Sequence, residues 1–527
     1  MGTPNILFRL LEELNNRQLL KADSSIDYCP AVDIEPIHWL AVTHMIQQYQ
    51  ARFAGLWVKE LDNAFYVIAC FYIEKNYLFV RTALHKKTPL RLPSLSCLYL
   101  ASSRFERHAH DLFGIEFTGN EDSRRWTRHQ AWSANQYPLR KDFPKAGYST
   151  GKTPTDKTYP FLQATGEGVC EVPVGPIHAG IIEPGHFRFQ ITGEDILYLE
   201  ERLGYLHKGI EKTAEGKDIS DLIHLASHVS GDCAVSYAWS ACMAIESALQ
   251  ITAPDRALFI RAILAERERI ANHLWDAAAI CNDVGFAFAY YQLGRLRELW
   301  LRTNAQLFGH RLLMNCLAIS GVQKDYLPES AVQVIRQELK PLEKEVGELE
   351  RILNSNASLQ NRLKTTGILS SDIAQAVGAL GYVGKASGID FDVRRDAPYA
   401  PYHQFKIDSP VLSEGDVAAR LSIRLKEIVN SLQLIDALLK DLPAGDYQTG
   451  WKMPHRATSG IGIVESWRGE LLTFVGLDSL GKISRYFPRD PSWFNWLALE
   501  RLIYHDIVPD FPVCNKSING SYSGCDL

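Results

Sequence analysis

Six long segments of this chain carry apolar residues at the three- and four-residue spacing that places them on one face of a helix. They cover residues 195–214, 222–249, 255–281, 292–316, 330–353 and 414–442. Short β regions are predicted from about residue 168 and at 460–477, and a last helix at 491–504. The pattern therefore predicts a mainly helical unit over residues 166–527, flanked by small strands.

The first 145 residues follow a different pattern. Two helical segments, 6–20 and 37–53, precede three runs at 56–60, 64–73 and 77–83, and a helical stretch follows at 101–112. The three runs are rich in aromatic and β-branched residues, which is typical of strands. We therefore predict a small α/β unit over residues 1–145, joined to the helical unit by a polar, aperiodic linker at 146–165, in an α+β protein.

Composition and charge exclude several classes of protein. Hydrophobic residues make up 46% and charged residues 22%, and the formal net charge is -5, so we expect a folded core and no nucleic-acid partner. The longest apolar run, 64–73, has about half of the ~20 residues that span a bilayer. Charged residues from Arg9 to Arg17 interrupt the place where a signal peptide has its apolar part. We expect a cytoplasmic chain without a membrane anchor of its own.

The spacing of the cysteines argues against a metal site held by this chain alone. The sequence has 10 cysteines, and no two of them are separated by only two residues. Iron–sulfur and zinc sites usually draw ligands from such closely spaced pairs. We therefore expect free thiols and no metal on this chain.

Two motifs occur in order in the first unit. Residues 106–125 read ERHAHDLFGIEFTGNEDSRR, and residues 138–144 read PLRKDFP. Together they resemble the 30-kDa-type subunit of respiratory complex I and of its hydrogenase relatives. Their charged residues fit either a lattice of ion pairs that docks the unit on its neighbours or solvated surface pairs that contribute little. These residues are Glu106, Arg107, Asp111, Arg124, Arg125 and Arg140.

Five stretches of the second unit carry a further resemblance. They are residues 205–212, 265–276, 280–286, 386–390 and 464–470. They are similar to the large subunit of membrane-bound group 4 nickel–iron hydrogenases, including that of formate hydrogenlyase, and to the 49-kDa-type subunit of complex I. The resemblance covers about residues 165–527. The fusion of a 30-kDa type to a following 49-kDa type, written C/D, is itself a feature of formate-hydrogenlyase-type large subunits.

The thiolates that bind metal in those hydrogenases are mostly absent here. The family holds nickel and iron with a Cys-Gly-x-Cys motif and a carboxy-terminal Asp-Pro-Cys-x-x-Cys motif, because soft thiolates suit such metals. The first motif reads Ser230-Gly231-Asp232-Cys233 in this chain, and residues 509–516 keep only Cys514 as a candidate for the second. The resemblance therefore implies a large subunit that has lost its nickel–iron centre.

Complex I implies another use of the same place, a quinone chamber. Its 49-kDa-type subunit carries His-Pro-x-x-His-Gly in the first hairpin and a tyrosine on a later helix, and both side chains polarise the quinone carbonyls. Counting from His178 puts the second histidine's place at Ile182, and the tyrosine's place falls at Ala241. Neither of these quinone ligands is present.

A set of polar residues remains around the predicted site. By resemblance, Arg468 matches the arginine that overhangs the hydrogenase metal, and Glu183 matches the proton-gate glutamate. Buried groups of this kind perturb each other's pKa values both at functional sites and in ion-pair networks that only support the fold, so both interpretations stay open. Our catalytic candidates are His178, Glu183, His228, Cys233, Arg468 and Asp510, with His186, Tyr237, Arg395 and Asp396 as further polar neighbours.

The resemblance implies the fused large subunit of a membrane-associated, energy-converting oxidoreductase complex that couples electron or proton transfer to ion movement. Expected partners are an iron–sulfur small subunit like that of complex I, a ferredoxin-like subunit and antiporter-like membrane subunits, so the iron–sulfur cluster would lie in a partner. One alternative is a quinone- or NADH-linked oxidoreductase subunit with an altered acceptor pocket, with quinone or NAD as cofactor. Another is a non-catalytic structural adaptor. A cavity near Cys233 and Arg468 with convergent polar groups favours chemistry, and a space filled by side chains favours the adaptor.

Overall fold

A five-stranded sheet in the order β1-β2-β5-β4-β3 organises the first unit. The computed structural model describes residues 6–21, 24–26, 29–129, 132–133, 135–148, 159–179, 182–453 and 456–527. The elements of this unit are α1 (Ile6–Asn16), β1 (Ser24–Ile26), β2 (Cys29–Ile34), α2 (Trp39–Gln48), β3 (Arg52–Glu60), β4 (Ala64–Ile73), β5 (Asn76–His85), β6 (Arg91–Pro93), α3 (Ser102–Phe113) and β7 (Glu116–Thr118). Within the five-stranded sheet β2 pairs with β5 in parallel, and its other pairs are antiparallel. The predicted strand 64–73 is confirmed, and the predicted helix 37–53 is shorter because Arg52 already begins β3.

None of the six charged motif residues of the first unit is fully solvated: Glu106, Arg107 and Asp111 are buried, and Arg124, Arg125 and Arg140 are half-buried. Asp111 accepts hydrogen bonds from the backbone N–H groups of Trp126, Thr127 and Arg128, at 2.8, 2.9 and 3.0 Å. Arg124 forms an ion pair at 2.5 Å with Glu200 of the second unit. Only part of the expected ion-pair lattice is present, since Arg107 and Arg124 pair with Asp122 and Arg124 also pairs with Glu200. Glu106, Asp111 and Arg140 form hydrogen bonds to uncharged groups instead, and docking on neighbouring subunits stays a prediction.

The second unit is mainly helical and begins with a small sheet. Its first elements are β8 (Val169–Val174), β9 (His186–Thr192), β10 (Asp195–Arg202), α4 (Ile210–Ala214), α5 (Ile219–Ala226), α6 (Ala234–Leu249), α7 (Asp255–Asp283), α8 (Ala287–Phe308), β11 (Leu317–Ala318), β12 (Gly321–Val322) and α9 (Glu329–Ser355). The remaining elements are α10 (Ala357–Leu363), α11 (Ser371–Val377), α12 (Gly381–Ala386), α13 (Val393–Asp396), α14 (Val417–Lys440), β13 (Thr458–Ser466), β14 (Gly469–Leu477), β15 (Ile483–Arg489), α15 (Ser492–Leu502), α16 (Phe511–Ile518) and α17 (Tyr522–Asp526). Residues 149–158 of the predicted linker lie outside the described residues.

Three predicted helices differ from the structure. Residues 195–214 form strand β10 and then only the short helix α4. The helix prediction failed because a β-bulge between Ile196 and Tyr198 places Ile196 and Leu199 on the same face of the strand, and this three-residue spacing imitates that of a helix. The predicted helix 222–249 is two helices, α5 and α6, separated by a loop that contains Ser230–Cys233. The helix predicted at 292–316 begins earlier, at Ala287, and ends at Phe308.

The two units share one continuous hydrophobic core. Trp57 of β3 packs against Phe474 and Phe487 of the second unit, with ring centroids 5.4 and 5.7 Å apart. Phe105 of α3 stacks on Trp493 at 4.6 Å. Because aromatic pairs bury large apolar areas, these contacts fix the orientation of one unit against the other. No helix of the described residues is long and apolar enough to cross a membrane.

Candidate functional site

A cavity of about 560 Å³ opens between the first strands of the second unit, helix α7, the β13–β14 turn and the last two helices. Its polar wall includes both acids and bases, and its apolar wall is formed by aromatic and aliphatic side chains. The polar lining residues are His178, Glu183, Ser230, Asp232, Asn272, Asp276, Asn282, Asp283, Arg297, Arg468, Asn515, Lys516, Asn519 and Ser521. The apolar ones include Val174, Ile182, Trp275, Tyr290, Phe511 and Tyr522.

A charged pair between Asp232 and Arg468 forms one wall of the cavity. The Arg468 guanidinium donates to both carboxylate oxygens of Asp232, at 3.1 and 2.5 Å, and its Nε donates to the carbonyl oxygen of Asn519 at 2.7 Å. The guanidinium also stacks 4.0 Å above the Trp467 ring. Burial by itself would raise the pKa of Asp232, but the Arg468 charge outweighs it and holds that pKa below its usual value. The two groups are therefore ionised together and fixed in place.

The backbone of the Ser230–Cys233 loop is held by helix α7 and by Trp467. The side-chain amide of Asn272 and the indole N–H of Trp467 both donate to the carbonyl oxygen of Asp232, at 2.6 and 2.8 Å. The Ser230 hydroxyl donates to the Asp232 carboxylate at 2.6 Å. This loop is thus positioned by several independent hydrogen bonds, as a binding or catalytic loop requires.

The spacing of the second hydrogenase motif fits residues 519–524 better than residues 509–516. Asn519-Gly520-Ser521-Tyr522-Ser523-Gly524 has the spacing of Asp-Pro-Cys-x-x-Cys, with Ser521 and Gly524 at the thiolate positions. The structure supports this correspondence because the Ser521 hydroxyl lies 3.2 Å from the hydroxyl of Ser230, which occupies the first thiolate position of the other motif.

Asp510, a predicted catalytic candidate, and Cys514, the candidate remnant of the motif, do not line the cavity. Asp510 forms an ion pair with Arg362 at 3.0 Å and is not among the described residues that line the cavity. Cys514 is buried near Arg420, and burial raises the pKa of its thiol. No signal in the sequence marks the true correspondence, since all four defining residues of the motif are replaced.

Tyr237 and Asp490 fill the space beside Gly524. The Tyr237 hydroxyl donates to the Asp490 carboxylate at 2.7 Å. A Cβ atom at position 524 would lie 2.5 Å from that hydroxyl and 2.8 Å from the carboxylate carbon, far inside contact distance. A thiolate at this position would therefore require both side chains to move.

Cys233 is the single thiol left at the four thiolate positions. It is fully buried beneath the cavity, and burial, with Glu268, Asp490 and Asp232 nearby, raises the pKa of its thiol well above the usual value. Two hydroxyls, one thiol and one glycine do not supply the four thiolates of a nickel–iron centre. No group of three or more His, Cys, Asp or Glu side chains within the described ranges has the arrangement of a metal site.

His178 and Glu183 both lie at the cavity, as predicted, and both contact helix α17. Nε2 of His178 is 3.2 Å from the Tyr522 hydroxyl, and burial followed by the charge of Lys516 lowers the pKa of this histidine. The Glu183 carboxylate accepts from the backbone N–H of Ser523 at 3.0 Å and from its hydroxyl. The cavity therefore carries a neutral imidazole and a carboxylate on one wall.

Four other candidates do not reach the cavity. His228 is exposed and bonds through Nδ1 to the carbonyl oxygen of His224 at 2.7 Å. Arg395 pairs with Asp390 and Asp396 at 2.7 and 2.8 Å, away from the site. His186 lies at the start of β9, and its Nε2 accepts a hydrogen bond from Arg188 at 3.1 Å. The structure thus does not support a shared site for these residues.

Helix α7 supplies lining residues that the sequence analysis did not single out. Asp276 accepts from the side-chain amide of Asn519 at 2.7 Å and pairs with the buried Arg424 at 3.0 Å. Together with Glu268 and Asn272 it repeats every four residues, which puts all three on one face of the helix. That periodicity of polar residues within an otherwise buried helix was the signal that could have found them.

Comparisons with known proteins agree with this geometry. Residues 5–149 match the family described as "Respiratory-chain NADH dehydrogenase, 30 Kd subunit", residues 283–457 match "Respiratory-chain NADH dehydrogenase, 49 Kd subunit", and residues 208–276 match "Nickel-dependent hydrogenase". Formate hydrogenlyase subunit 5 of Escherichia coli (strain K12) is 31% identical over 466 residues, which cover 88% of this chain and 81% of that protein. The NADH-quinone oxidoreductase C/D subunit of Phocaeicola vulgatus is 32% identical over 418 residues, 76% of this chain and 80% of that protein.

A solved structure shows the same fold. It is that of the membrane-bound sulfane sulfur reductase, an archaeal respiratory membrane complex, with a TM-score of 0.64 and 24% identity over 69% of this chain and 100% of that chain. The chain is thus a fused protein of the complex I 30-kDa and 49-kDa type. It belongs to the group 4 hydrogenase-related family that includes formate hydrogenlyase subunit 5 and the C/D subunits of NADH-quinone oxidoreductase. The family and fold class predicted from the motifs are confirmed.

Proposed function

We propose that this chain is the fused large subunit of a membrane-associated, energy-converting oxidoreductase complex and that it works there without a nickel–iron centre. One observation carries the proposal. A polar cavity, bounded by the Asp232–Arg468 pair, lies at the place where Ser230, Cys233, Ser521 and Gly524 take the thiolate positions of the hydrogenases.

The cavity favours retained chemistry over a purely structural adaptor. Its volume of about 560 Å³ is in the range of small-molecule sites, and both apolar and polar side chains converge on it. An adaptor has no need to keep such a space, since close packing stabilises a protein interior. The alternative of a quinone- or NADH-linked subunit lacks a comparable observation, because Ile182 and the buried Ala241 supply no hydrogen bond to a quinone.

Proton transfer is the chemistry that the wall of the cavity can perform. His178 with its lowered pKa is neutral near pH 7 and can accept a proton through a ring nitrogen. Glu183 and the Ser523 hydroxyl form a second donor–acceptor pair on the same wall. Arg468 keeps Asp232 ionised and so provides a fixed charge pair that orients a polar ligand or water. The buried thiol of Cys233 has no role in this scheme beyond packing.

The partners follow from the same proposal. Relatives of this chain are named as parts of formate hydrogenlyase and NADH-quinone oxidoreductase, and the structural neighbour comes from a respiratory membrane complex. We infer an iron–sulfur small subunit, a ferredoxin-like subunit and antiporter-like membrane subunits as partners, and a peripheral position on the cytoplasmic face of the membrane. Electron transfer would then pass through the cluster of the small subunit.

Purification of the tagged chain from membranes of its native host tests this proposal. We expect an iron–sulfur subunit and antiporter-like subunits to copurify in fixed ratio, and we expect iron without nickel in metal analysis. Recovery of the chain without any membrane subunit would contradict the assignment to such a complex. One nickel per chain would contradict the loss of the metal centre.

A pair of matched variants tests the role of the cavity. Glu183→Gln should leave the complex assembled and lower its coupled activity, because the amide keeps the size of the side chain and cannot carry the proton. Glu194→Gln is the control, since Glu194 is exposed in the turn between β9 and β10. Equal activity of the two variants would exclude Glu183 from proton transfer.

A further inference from the structure

A cluster of buried ionic side chains lies behind the cavity, between α7, α12, α13, α14 and β13. Three cations and three carboxylates pair directly in it. They are Arg269, Lys385 and Arg394, with Glu266, Asp392 and Glu427. Lys385 lies 2.8 Å from both Asp392 and Glu427, and Arg394 lies 2.9 Å from Glu266. The charges of these six groups cancel, as the burial of ions requires.

Glu465 adds a fourth carboxyl group to a cluster that is already neutral. It is buried on β13, and within the described part of the chain it forms no ion pair. Its Oε2 accepts from the backbone N–H of Val393 at 3.1 Å, and its own N–H donates to the Tyr399 hydroxyl at 3.1 Å. The charged groups that face it are Asp392, Lys385, Arg269 and Arg394, each of which already forms ion pairs within the cluster.

A neutral, protonated Glu465 agrees with this arrangement. An ionised carboxylate would leave the cluster with one uncompensated negative charge in a water-poor interior, at high energetic cost. Burial, followed by repulsion from Asp392, raises the pKa of Glu465 to about 8. The neighbouring His273 is not the missing cation, because burial lowers its pKa although its Nε2 lies 2.7 Å from Glu427.

A second, smaller cavity connects this cluster with the surface. It has a volume of about 240 Å³, and the buried Arg394, Glu427 and Ser431 line its inner end. Lys406 and Asp408, which line its outer end, are largely exposed. Glu427 is the carboxylate of the cluster that lines this cavity, and the Ser431 hydroxyl, which also lines it, donates to Glu266 at 2.7 Å. Water that enters it can exchange protons with the cluster.

We propose that the smaller cavity and the cluster form a proton-binding site separate from the main cavity, with Glu465 as the group that holds the exchangeable proton. The step is a simple acid dissociation, in which the Glu465 carboxyl gives its proton to water and becomes a carboxylate. The site adjoins the main cavity through Trp467, whose ring centroid lies 5.9 Å from that of His273 and whose N–H donates to Asp232.

Infrared spectroscopy of the purified full-length chain tests the proposal. With ¹³C-labelled glutamate, the difference spectrum between the unsubstituted chain and Glu465→Gln at neutral pH should contain a protonated-carboxyl band, and the difference spectrum for Glu194→Gln, a variant of an exposed turn residue, should not. The thermal midpoint distinguishes Glu465 from the paired carboxylates of the cluster. Glu465→Gln replaces one neutral group by another and should leave it unchanged, whereas Glu427→Gln leaves Lys385 with one partner and should lower it. A difference spectrum for Glu465→Gln without a protonated-carboxyl band, or an equal fall of the two thermal midpoints, would overturn the assignment of the proton to Glu465.

A second pair of variants tests the route. Ala437 lines the smaller cavity, and Asp436 beside it is exposed and does not line it. Ala437→Phe should slow the deuterium exchange of the Glu465 band several-fold, and Asp436→Phe should leave the rate unchanged. Equal exchange rates in the two variants would show that protons reach Glu465 by another path and would overturn the role of the cavity.

Discussion

Removal of Arg468 is the sharpest test of the main cavity. Breaking a buried ion pair from one side costs about 3–5 kcal/mol, because the remaining charge stays buried without a partner. The Asp232 side chain, however, keeps 36% of its surface accessible, whereas the Arg468 side chain keeps 3%. Water in the cavity can therefore solvate Asp232 after Arg468→Ala, which reduces the expected loss of stability to about 2–3 kcal/mol. Asp232→Ala leaves the buried Arg468 guanidinium without its partner, so this variant should lose the full ~3–5 kcal/mol of stability.

Cys233→Ala is the matched control for this experiment. It removes one buried sulfur atom that has no ionic partner, at an expected cost of about 1 kcal/mol. Urea unfolding of the purified chain measures these losses as lower unfolding midpoints, provided that the slope of the transition is unchanged. Asp232→Ala should lower the midpoint most, Arg468→Ala less, and Cys233→Ala least. Assembly into the complex should follow the same order. A variant of Cys233 that loses activity while it assembles normally would instead indicate a reactive thiolate or a metal ligand and refute the reasoning.

The altered thiolate positions and one carboxyl group near the end of the chain lead to three more predictions. The purified complex should not oxidise hydrogen, and a hydrogen-dependent dye assay checks this. Gly524→Cys should destabilise the chain and not restore a metal site, because its Cβ would meet the Tyr237 hydroxyl at 2.5 Å; a thermal midpoint equal to that of the unsubstituted chain would contradict this. Burial raises the pKa of Asp526 to about 7, so the folded state binds a proton that the unfolded state releases near its ordinary pKa of 3.8. Stability should therefore fall as pH rises from about 4 to about 7, and Asp526→Asn should flatten that part of the pH–stability curve.

The sequence was most informative where a pattern had a single physical explanation. The aromatic and β-branched run at 64–73 could only be a buried strand, and helix α7 begins at the predicted residue 255. The prediction for 195–214 was wrong because a bulge imitates the helical period, and a bulge depends on the partner strand. Local periodicity cannot reveal such a partner.

The candidate site was predicted only in part, because the local sequence does not show which segments meet in space. His178, Glu183 and Arg468 lie at the cavity because their motifs still match the family, although their catalytic roles stay predictions. Asp510 was placed there by the nearest remaining cysteine, whereas the structure selects Ser521 through its contact with Ser230. A replaced motif can be located only when its spatial partner is known.

Glu470 connects the first unit directly with the turn that carries Arg468. It is buried at the boundary of the units, pairs with Arg52 of β3 and Arg489 of β15, and accepts from the Tyr77 hydroxyl at 2.6 Å. It also lies two residues beyond Arg468, at the start of β14. A protein that docks on the first sheet and shifts its edge strand would therefore act on the turn that carries Arg468. Glu470 thus connects a possible docking surface on the first unit with the wall of the cavity by a short series of direct contacts.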